Sequence, residues 1–460
     1  MNNEEVVRKA TDAGVLLVTF LYCDNGGVIR GKSSHIYGLA NRIDSGIGLT
    51  VAMQAMSDND DLQPIDGMGP KGEIRLVPDP NTFTLLPYAP KRAVMMADMH
   101  TLDRKPWAAC PRDFLKKQID RAGKMGLNIQ AAFEPEWSLA RRDGDGFAPI
   151  DESLCFSGVG MTESMAVIDD IVVALDAQGL QVEQYYPELG HGQQELTIGH
   201  ADALRAADNH IVYRETVRNI ARQHDLYASF APKPFPDQSG NGCHLHISLW
   251  DEQAERNLFY DSDGRHGLSQ MGYQFIGGVL AHLRGLVALT APSVNSYRRL
   301  IPNSWSSAFV CYGPDNREAA VRIPSGYWGN EMASANLELK PSDSSANPYL
   351  ALGGLISAGL DGITNNTIPS LDLEIDVDPT TLPDGELKRR GIVNLPRSLD
   401  EAVRALEEDV TLMESLGPTL SEAYLAIRRA DAKLFSENDQ SFEIRRHFAH
   451  IRIVGRDDQV

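Results

Sequence analysis

The chain has 460 residues, of which 42% are hydrophobic and 23% charged, an ordinary globular balance with enough length for a large core without covalent staples. Its formal net charge of −20 argues against general nucleic-acid binding and against docking on anionic membranes. An anionic substrate stays open, because a site can be locally basic or can recruit metal. The five cysteines, Cys23, Cys110, Cys155, Cys243 and Cys311, are scattered, odd in number and form no Cys-x-x-Cys pair. That pattern disfavours a disulfide framework or a zinc site and fits a reducing, cytoplasmic setting. Met1–Thr11 is polar and charged, unlike a secretory signal. Val15–Cys23 is too short to span a bilayer, and Gly277–Ala291 is broken by His282 and Arg284.

In chain order, the first hundred residues read as a small separate unit. Val15–Cys23 is apolar and β-rich, Asp24-Asn25-Gly26-Gly27 is a hairpin turn, and Val28–Ile36 returns. Asp58–Pro70 is a polar loop and Gly72–Pro80 a further strand. The two prolines of Arg104–Pro111 open a new pattern, so a boundary is expected there, dividing the chain into 1–105 and 106–460. Beyond it, Pro111–Gly126 has helical periodicity with a glycine stop. Short strands are expected at Asn128–Ala140, Gln181–Glu188, Gly242–Trp250, Ala319–Pro324 and Asn336–Lys340. Helices are expected at Ser164–Gln178, His200–His224, Ser269–Leu289, Tyr349–Thr364, Leu399–Leu416 and Pro418–Ser436. Strands that do not strictly alternate with helices predict an α+β fold with a mainly antiparallel sheet. Leu371–Gly385, acidic and proline-containing, reads as a long surface loop.

Three of these strands are charged on one face. A strand sends residues i, i+2 and i+4 to the same side. Glu134 and Glu136 therefore share a face opposite Phe133, Pro135 and Trp137; His244, His246 and Ser248 share one opposite Leu245 and Ile247; and Glu338 and Lys340 share one opposite Leu337 and Leu339. A solvent-facing strand would also be polar on one side, but such faces favour Lys, Thr and Ser over repeated Glu and His. Glu188 and Glu195 flank a Gly-rich turn that could fold back to deliver two more carboxylates. Two carboxylates ~4 Å apart repel by roughly 4 kcal/mol at an effective dielectric of 20. A convergent cluster of five therefore calls for a cation, and oxygen ligands with imidazole suit Mg²⁺ or Mn²⁺ better than zinc. Paired hard divalent ions are typical of phosphoryl transfer.

The second element is basic. Arg298, Arg299, Arg317 and Arg322 fall close together in an acidic protein. An isolated arginine pair is usually a surface ion-pair partner; beside a metal cluster, guanidinium groups bind phosphate or carboxylate through paired hydrogen bonds and stabilise a transferring phosphoryl group. There is no Gly-x-x-x-x-Gly-Lys-Ser/Thr loop and no Gly-x-Gly-x-x-Gly after a strand, so a nucleotide would be held outside the P-loop and dinucleotide-fold schemes.

Taken in order, Glu134-Pro-Glu136, Glu188…Gly192-Gln-Gln-Glu195, Ala231-Pro-Lys-Pro234, Gly242-Cys-His244-Leu-His246-Ile-Ser248, Asn316-Arg317…Arg322-Ile-Pro324 and Glu338…Ala346-Asn-Pro-Tyr-Leu350 resemble type I glutamine synthetase. The resemblance implies an N-terminal β-grasp domain, a larger catalytic domain with an antiparallel sheet flanked by helices, and a dodecamer of two hexameric rings. It implies two to three Mg²⁺ or Mn²⁺ ions per site, with ATP as co-substrate. Glu136, Glu188 and Glu195 stand at the positions of the first metal's ligands, and Glu134, His244 and Glu338 at those of the second. By the same resemblance His246 and Ser248 contact the nucleotide, Arg317 and Arg322 the γ-phosphate, and Arg299 the glutamate α-carboxylate; Gly240, Lys340 and Trp305 fall at substrate-side positions. The implied reaction phosphorylates the glutamate side-chain carboxylate, after which an amine displaces phosphate.

The departures from that pattern bear on the amine. Ammonia-using members carry a glutamate on the loop after the Arg-Leu-x-Pro segment; here the loop is Ile301-Pro-Asn-Ser-Trp305-Ser-Ser and Trp305 stands at the matching position. The N-terminal segment Ser45–Ala52 also has no carboxylate at the likely match to the ammonium-binding aspartate. Tryptophan offers an apolar or cation–π wall to a substituted amine, which is similar to the γ-glutamyl-amide branch represented by γ-glutamylmethylamide synthetase; the alternative is a tryptophan that only packs. Lys340 replaces a usual arginine and keeps charge without the fork, and Ser239 replaces a common asparagine. Leu371–Arg390 contains no tyrosine, against adenylylation control. The expected activity is ATP-dependent ligation of an amine to glutamate. Alternatives are an ammonia-using glutamine synthetase, a ligase of the same fold for another acid, and a non-catalytic assembly-forming relative.

Overall fold

The computed structural model describes residues 1–144 and 146–449; the end of the larger expected domain, 450–460, lies outside the described residues. Two sheets organise the chain. The first has six strands: β1 (Leu17–Cys23), β2 (Ile29–His35), β3 (Ile47–Thr50), β4 (Glu73–Pro78), β5 (Thr84–Leu85) and β6 (Arg92–His100). The expected hairpin is present as β1–β2, and β6 lies parallel to β1 in the middle of the sheet. Helices Asn3–Asp12 and Leu39–Ser45, β3 and β6 were not anticipated. The first helix is short and polar overall and buries only Val6 and Ala10, so few apolar residues mark it in the sequence. Its capping box, Asn2 with Glu5, is a start signal that was readable.

The first unit is joined to the rest through its own pleat. On β1, Phe20 and Tyr22 enter a small core with Ala93, Met95 and Ala97 of β6. The alternate residues Leu21, Cys23, Val94 and Met96 enter the large core. Both faces of the central strands are thus buried, and the turn between β1 and β2 is fastened as well. Asn347 donates to the carbonyls of Cys23 and Asp24, at 3.1 and 2.9 Å. Gly27 in that turn has φ +83°, and a β-carbon there would stand 2.2 Å from the Ser345 carbonyl, so both conformation and contact demand glycine. Buried Arg112 ties the units further, meeting Asp208, Asp98 and Asp79 at 2.8–3.0 Å.

The second sheet has ten strands: β7 (Leu127–Asp143), β8 (Gly146–Pro149), β9 (Val182–Pro187), β10 (Gln193–Ile198), β11 (Ala201–Asp202), β12 (Tyr227–Ser229), β13 (Cys243–Asp251), β14 (Tyr312–Pro314), β15 (Val321–Ile323) and β16 (Leu337–Leu339). Its main path runs β14-β15-β16-β13-β7-β10-β9, antiparallel except for the β14–β15 pair. β7 is not short: it spans 17 residues and is the spine on which five other strands pair directly. Its apolar alternate residues face helices Pro111–Gly123 and Ala203–Gln223. Helices Gln270–Thr290 and Pro348–Thr364 complete the core. Among the described residues no helix is long and apolar enough to cross a membrane, and all five cysteines are free.

The helix expected at Leu399–Leu416 is two helices, Leu399–Glu408 and Val410–Leu416. Asp409 breaks it by capping the second, accepting from the Leu412 N–H at 2.9 Å. Its other oxygen lies 2.8 Å from His282 Nδ1, while His282 Nε2 lies 3.2 Å from Asp361. Burial works against a charged His282, but its hydrogen bonds to Asp409 and Asp361 and their charges outweigh it and raise the pKa. A raised histidine pKa gives stabilisation that is complete below the unfolded value of about 6.5 and is lost as pH rises through the folded one. His282→Gln is therefore expected to cost about 2 kcal/mol at pH 6, with the gap to wild type closing by pH 9; urea unfolding at the two pH values measures this.

Candidate active site

Strand register brings the charged residues together. Across β7 and β13, His244 lies opposite Glu134 and Ser248 opposite Gln130. Across β13 and β16, His246 lies opposite Glu338, which in turn faces Arg322 of β15. On the other side of β7, Glu136 faces Glu195 of β10, and Glu195 faces Tyr186 of β9. Cross-strand partners share a face, so one side of the sheet carries a continuous row of acids, imidazoles and one arginine. The Gly-rich turn folds back as expected: β9 and β10 are antiparallel, with Glu188 just beyond β9.

Above this row opens a cavity of about 530 Å³. All five glutamates line it, as do His244, His246, Arg299, Arg317, Arg322, Lys340, Gly240 and Trp305. Ser248 does not reach it. It lines a second cavity of about 470 Å³, which shares Glu134, His246, Tyr327, Ser334 and Asn336 with the first and adds Gln130 and Trp250. Tyr186, Gln193, Tyr327 and Asn336 also line the main cavity and were not singled out from the sequence. For Tyr186 the signal was present, since it lies two residues before Glu188 on the same strand face.

The polar contacts are close. Glu134 Oε2 lies 3.0 Å from His246 Nε2 and 3.4 Å from His244 Nδ1. His244 Nδ1 lies 3.3 Å from Glu338 Oε1. Arg322 donates to Glu338 Oε2 at 2.8 Å, and the buried Lys340 ammonium lies 3.3 Å from Glu338 Oε1 and 3.4 Å from His244 Nε2. Glu136 accepts from Gln193 Nε2 at 2.8 Å and from the Gly242 N–H at 2.9 Å. Tyr186 donates to Glu195. Arg299, itself buried, is held by the carbonyls of Ser342 and Lys340, at 2.7 and 3.3 Å. A β-carbon on Gly240 would lie 2.7 Å from Arg299 Cγ and 2.4 Å from the Pro232 carbonyl, so only glycine lets that backbone pass.

Electrostatics divides the row in two. Burial, then the charges of Glu134 and Glu136, push Glu195 up to about 11. Burial and Glu136 raise Glu188 to about 7, against the pull of Arg317. At the other end burial also disfavours charge, but hydrogen bonds from His244 and His246 outweigh it and hold Glu134 well below the usual carboxylate range. For His246 burial is outweighed by Glu134, raising it to about 9. Burial of Glu338 is outweighed by Lys340, His244 and His246, which lower its pKa. One end of the row is thus neutralised internally, and the other holds excess negative potential.

A divalent cation fits this donor set. Glu134, His246 and Glu338 offer ligand atoms all within 4.8 Å of one another, and His244 Nδ1 lies between Glu134 and Glu338 at the distances given above. Carboxylate oxygens with imidazole suit a hard ion such as Mg²⁺ or Mn²⁺.

Residues 1–107 match the model of the glutamine synthetase N-terminal domain, and residues 108–447 match that of the glutamine synthetase catalytic domain. The chain belongs to the glutamine synthetase family. It has the glutamine synthetase fold and is a carbon–nitrogen ligase. Gamma-glutamylpolyamine synthetase GlnA3 of Streptomyces coelicolor is 37% identical over 426 residues, covering 92% of this chain and 91% of that protein. The glutamine synthetase of Halobacterium salinarum is 35% identical over 384 residues, covering 82% and 83%. Among solved structures, a novel glutamine synthase homolog superposes with a TM-score of 0.84 at 33% identity, over 95% of this chain and 98% of that one. A GmaS/ADP complex superposes equally well at 31% identity, over 96% and 98%.

Proposed function

We propose that this glutamine synthetase-family ligase joins an amine to the γ-carboxylate of L-glutamate at the expense of ATP, giving a γ-glutamylamide. The observation that carries the reading is Trp305. It lines the cavity from the loop between Arg299 and Ser307, and that loop has no carboxylate. The acidic residues lining the cavity are the five glutamates of the sheet row. An indole at this wall favours an amine carrying carbon over the ammonium ion. The name of the GlnA3 relative, a γ-glutamylpolyamine synthetase, supports an amine as the nitrogen donor.

In this reading the glutamate side-chain oxygen attacks the γ-phosphorus of ATP and ADP leaves. The amine nitrogen then attacks the acyl carbon of the γ-glutamyl phosphate, phosphate leaves, and one proton is lost from nitrogen. Glu136, Glu188 and Glu195 would hold one metal ion; Glu134, His244 and Glu338, with His246 beside them, would hold another. Bound Mg²⁺ or Mn²⁺, two to three ions in all, would neutralise the triphosphate charge. The second cavity, with Ser248 and Trp250, suits the nucleoside, and His246 stands where the two cavities join. Arg317 and Arg322 would face the γ-phosphate; Arg299, with Lys340 and Gly240 beside it, would face the amino acid. Cytoplasmic, ring-like assembly into a dodecamer belongs to the same proposal. The exposed Leu154, Phe156, Val159 and Met165, of which Phe156 lines the cavity, support a subunit contact on that segment.

The test is ADP release with ATP, Mg²⁺ and L-glutamate across ammonium, methylamine, ethanolamine, a longer alkylamine, aniline and putrescine. A substituted amine is expected to exceed ammonium in kcat/KM. Equal or better turnover with ammonium would instead make the protein an ammonia-using glutamine synthetase. Lys340 in place of an arginine favours a second reading, a different acid substrate, and a panel of carboxylic acids with the best amine decides it.

A further inference from the structure

The carboxylate missing from the Trp305 loop is present directly behind it. Glu318 is only 5% exposed, and its Oε1 accepts the backbone N–H of Trp305 itself at 2.7 Å. The backbone carbonyl of Glu318 accepts the Ser307 hydroxyl at 3.0 Å. The same loop is gathered from its other side by Arg299, whose carbonyl accepts the hydroxyls of Ser304 and Ser306 at 3.1 and 2.6 Å. Asn303, Trp305 and Ser307 have φ of +60°, +56° and +69°, a left-handed conformation at every second residue. Tryptophan and serine are poorly suited to it, and such a backbone persists only where its surroundings over-determine it. Glu318 supplies that constraint. It does so at an electrostatic cost: its Oε2 is buried with no hydrogen-bond partner, and burial raises its pKa. Trp305, Ser304 and Ser306 are cavity-lining residues, whereas Glu318 stands one layer behind them.

We infer that Glu318 is a positioning residue for amine selection: by holding the Trp305 N–H it fixes the strained loop so that the indole forms the amine-side wall. This rests on the γ-glutamylamide reading. The geometry gives two substitutions opposite outcomes. Glu318→Asp keeps the charge but is one methylene too short to reach the Trp305 N–H. Glu318→Gln loses the charge but keeps an acceptor at the right length.

The experiment measures kcat/KM for a short alkylamine and for ammonium, with glutamate and ATP saturating, in wild type, E318D and E318Q, together with KM for ATP. E318D is expected to lower the alkylamine-to-ammonium ratio at least tenfold with KM for ATP within twofold of wild type, and E318Q to restore the ratio to within threefold. An unchanged ratio in E318D, or a ratio in E318Q as low as in E318D, overturns the inference. The parent reading is judged separately, since it fails when wild type itself prefers ammonium, whatever the variants do.

Discussion

Glu338→Ala is expected to lower ATP turnover by about 10³-fold, whichever amine is supplied. Glu338 is 1% exposed and sits where three strands bring positive groups and imidazoles to one point. It faces His246 across β13–β16 and Arg322 across β15–β16. One oxygen takes Arg322 at 2.8 Å, and the other lies 3.3 Å from both Lys340 and His244. Alanine removes a ligand atom from the group formed with Glu134 and His246. It also frees Arg322 and Lys340 from the carboxylate that aligns them. Steady-state ADP release reads the first consequence, and calorimetric titration with MnADP reads the second as weakened nucleotide binding. Activity above a tenth of wild type would remove Glu338, and with it the proposed second metal set, from the machinery.

Divalent metal is expected to stabilise the protein, and to do so more at pH 8 than at pH 6. Glu188 is raised to about 7 and Glu195 to about 11, in each case by burial first and by neighbouring glutamates second. A carboxylate with a raised folded pKa holds a proton that the unfolded chain releases above about 4.5. The metal-free protein therefore loses stability as pH climbs from that value through about 7, and Glu195 extends the loss further. A bound cation competes with those protons, so the lower the proton activity, the more it contributes. At a hundred times its dissociation constant a ligand stabilises by about 2.7 kcal/mol. Thermal melts with chelator and with saturating Mn²⁺, at pH 6, 7 and 8, measure the difference. A metal-induced gain in Tm that stays flat or shrinks with pH would show that the cation binds elsewhere.

Much of the site was legible because strands are periodic. Alternation in Phe133–Trp137, Cys243–Ser248 and Leu337–Lys340 places each acid and imidazole on a polar face, and all three faces form one wall. The ordered motifs then pointed to the family that the domain matches show. Elements were legible where many buried positions mark a long element between clear stop signals, as in the Pro418–Ser436 helix, found at its expected bounds. They were lost where an element is short and buries few apolar residues, as in helix Asn3–Asp12, which buries Val6 and Ala10, or where a tertiary partner intervened, as at Asp409, whose bond to His282 joins residues 127 positions apart.

Residue type and spacing along the chain determined the polar strand faces, the turn that returns Glu195 beside Glu188, the absence of a phosphate-binding glycine loop and the tryptophan on the loop after Arg299. Those are local properties, set by a backbone repeat of two residues and by turn stereochemistry. Tertiary structure alone decided which charges oppose one another, that Glu338 sits between Arg322 and Lys340, that β1 and β6 are shared by two cores, and that Glu318 grips Trp305 from behind. Each of these depends on strand register or on packing between distant segments. A one-residue shift in register would send every side chain of a strand to the opposite face while leaving the local sequence unchanged.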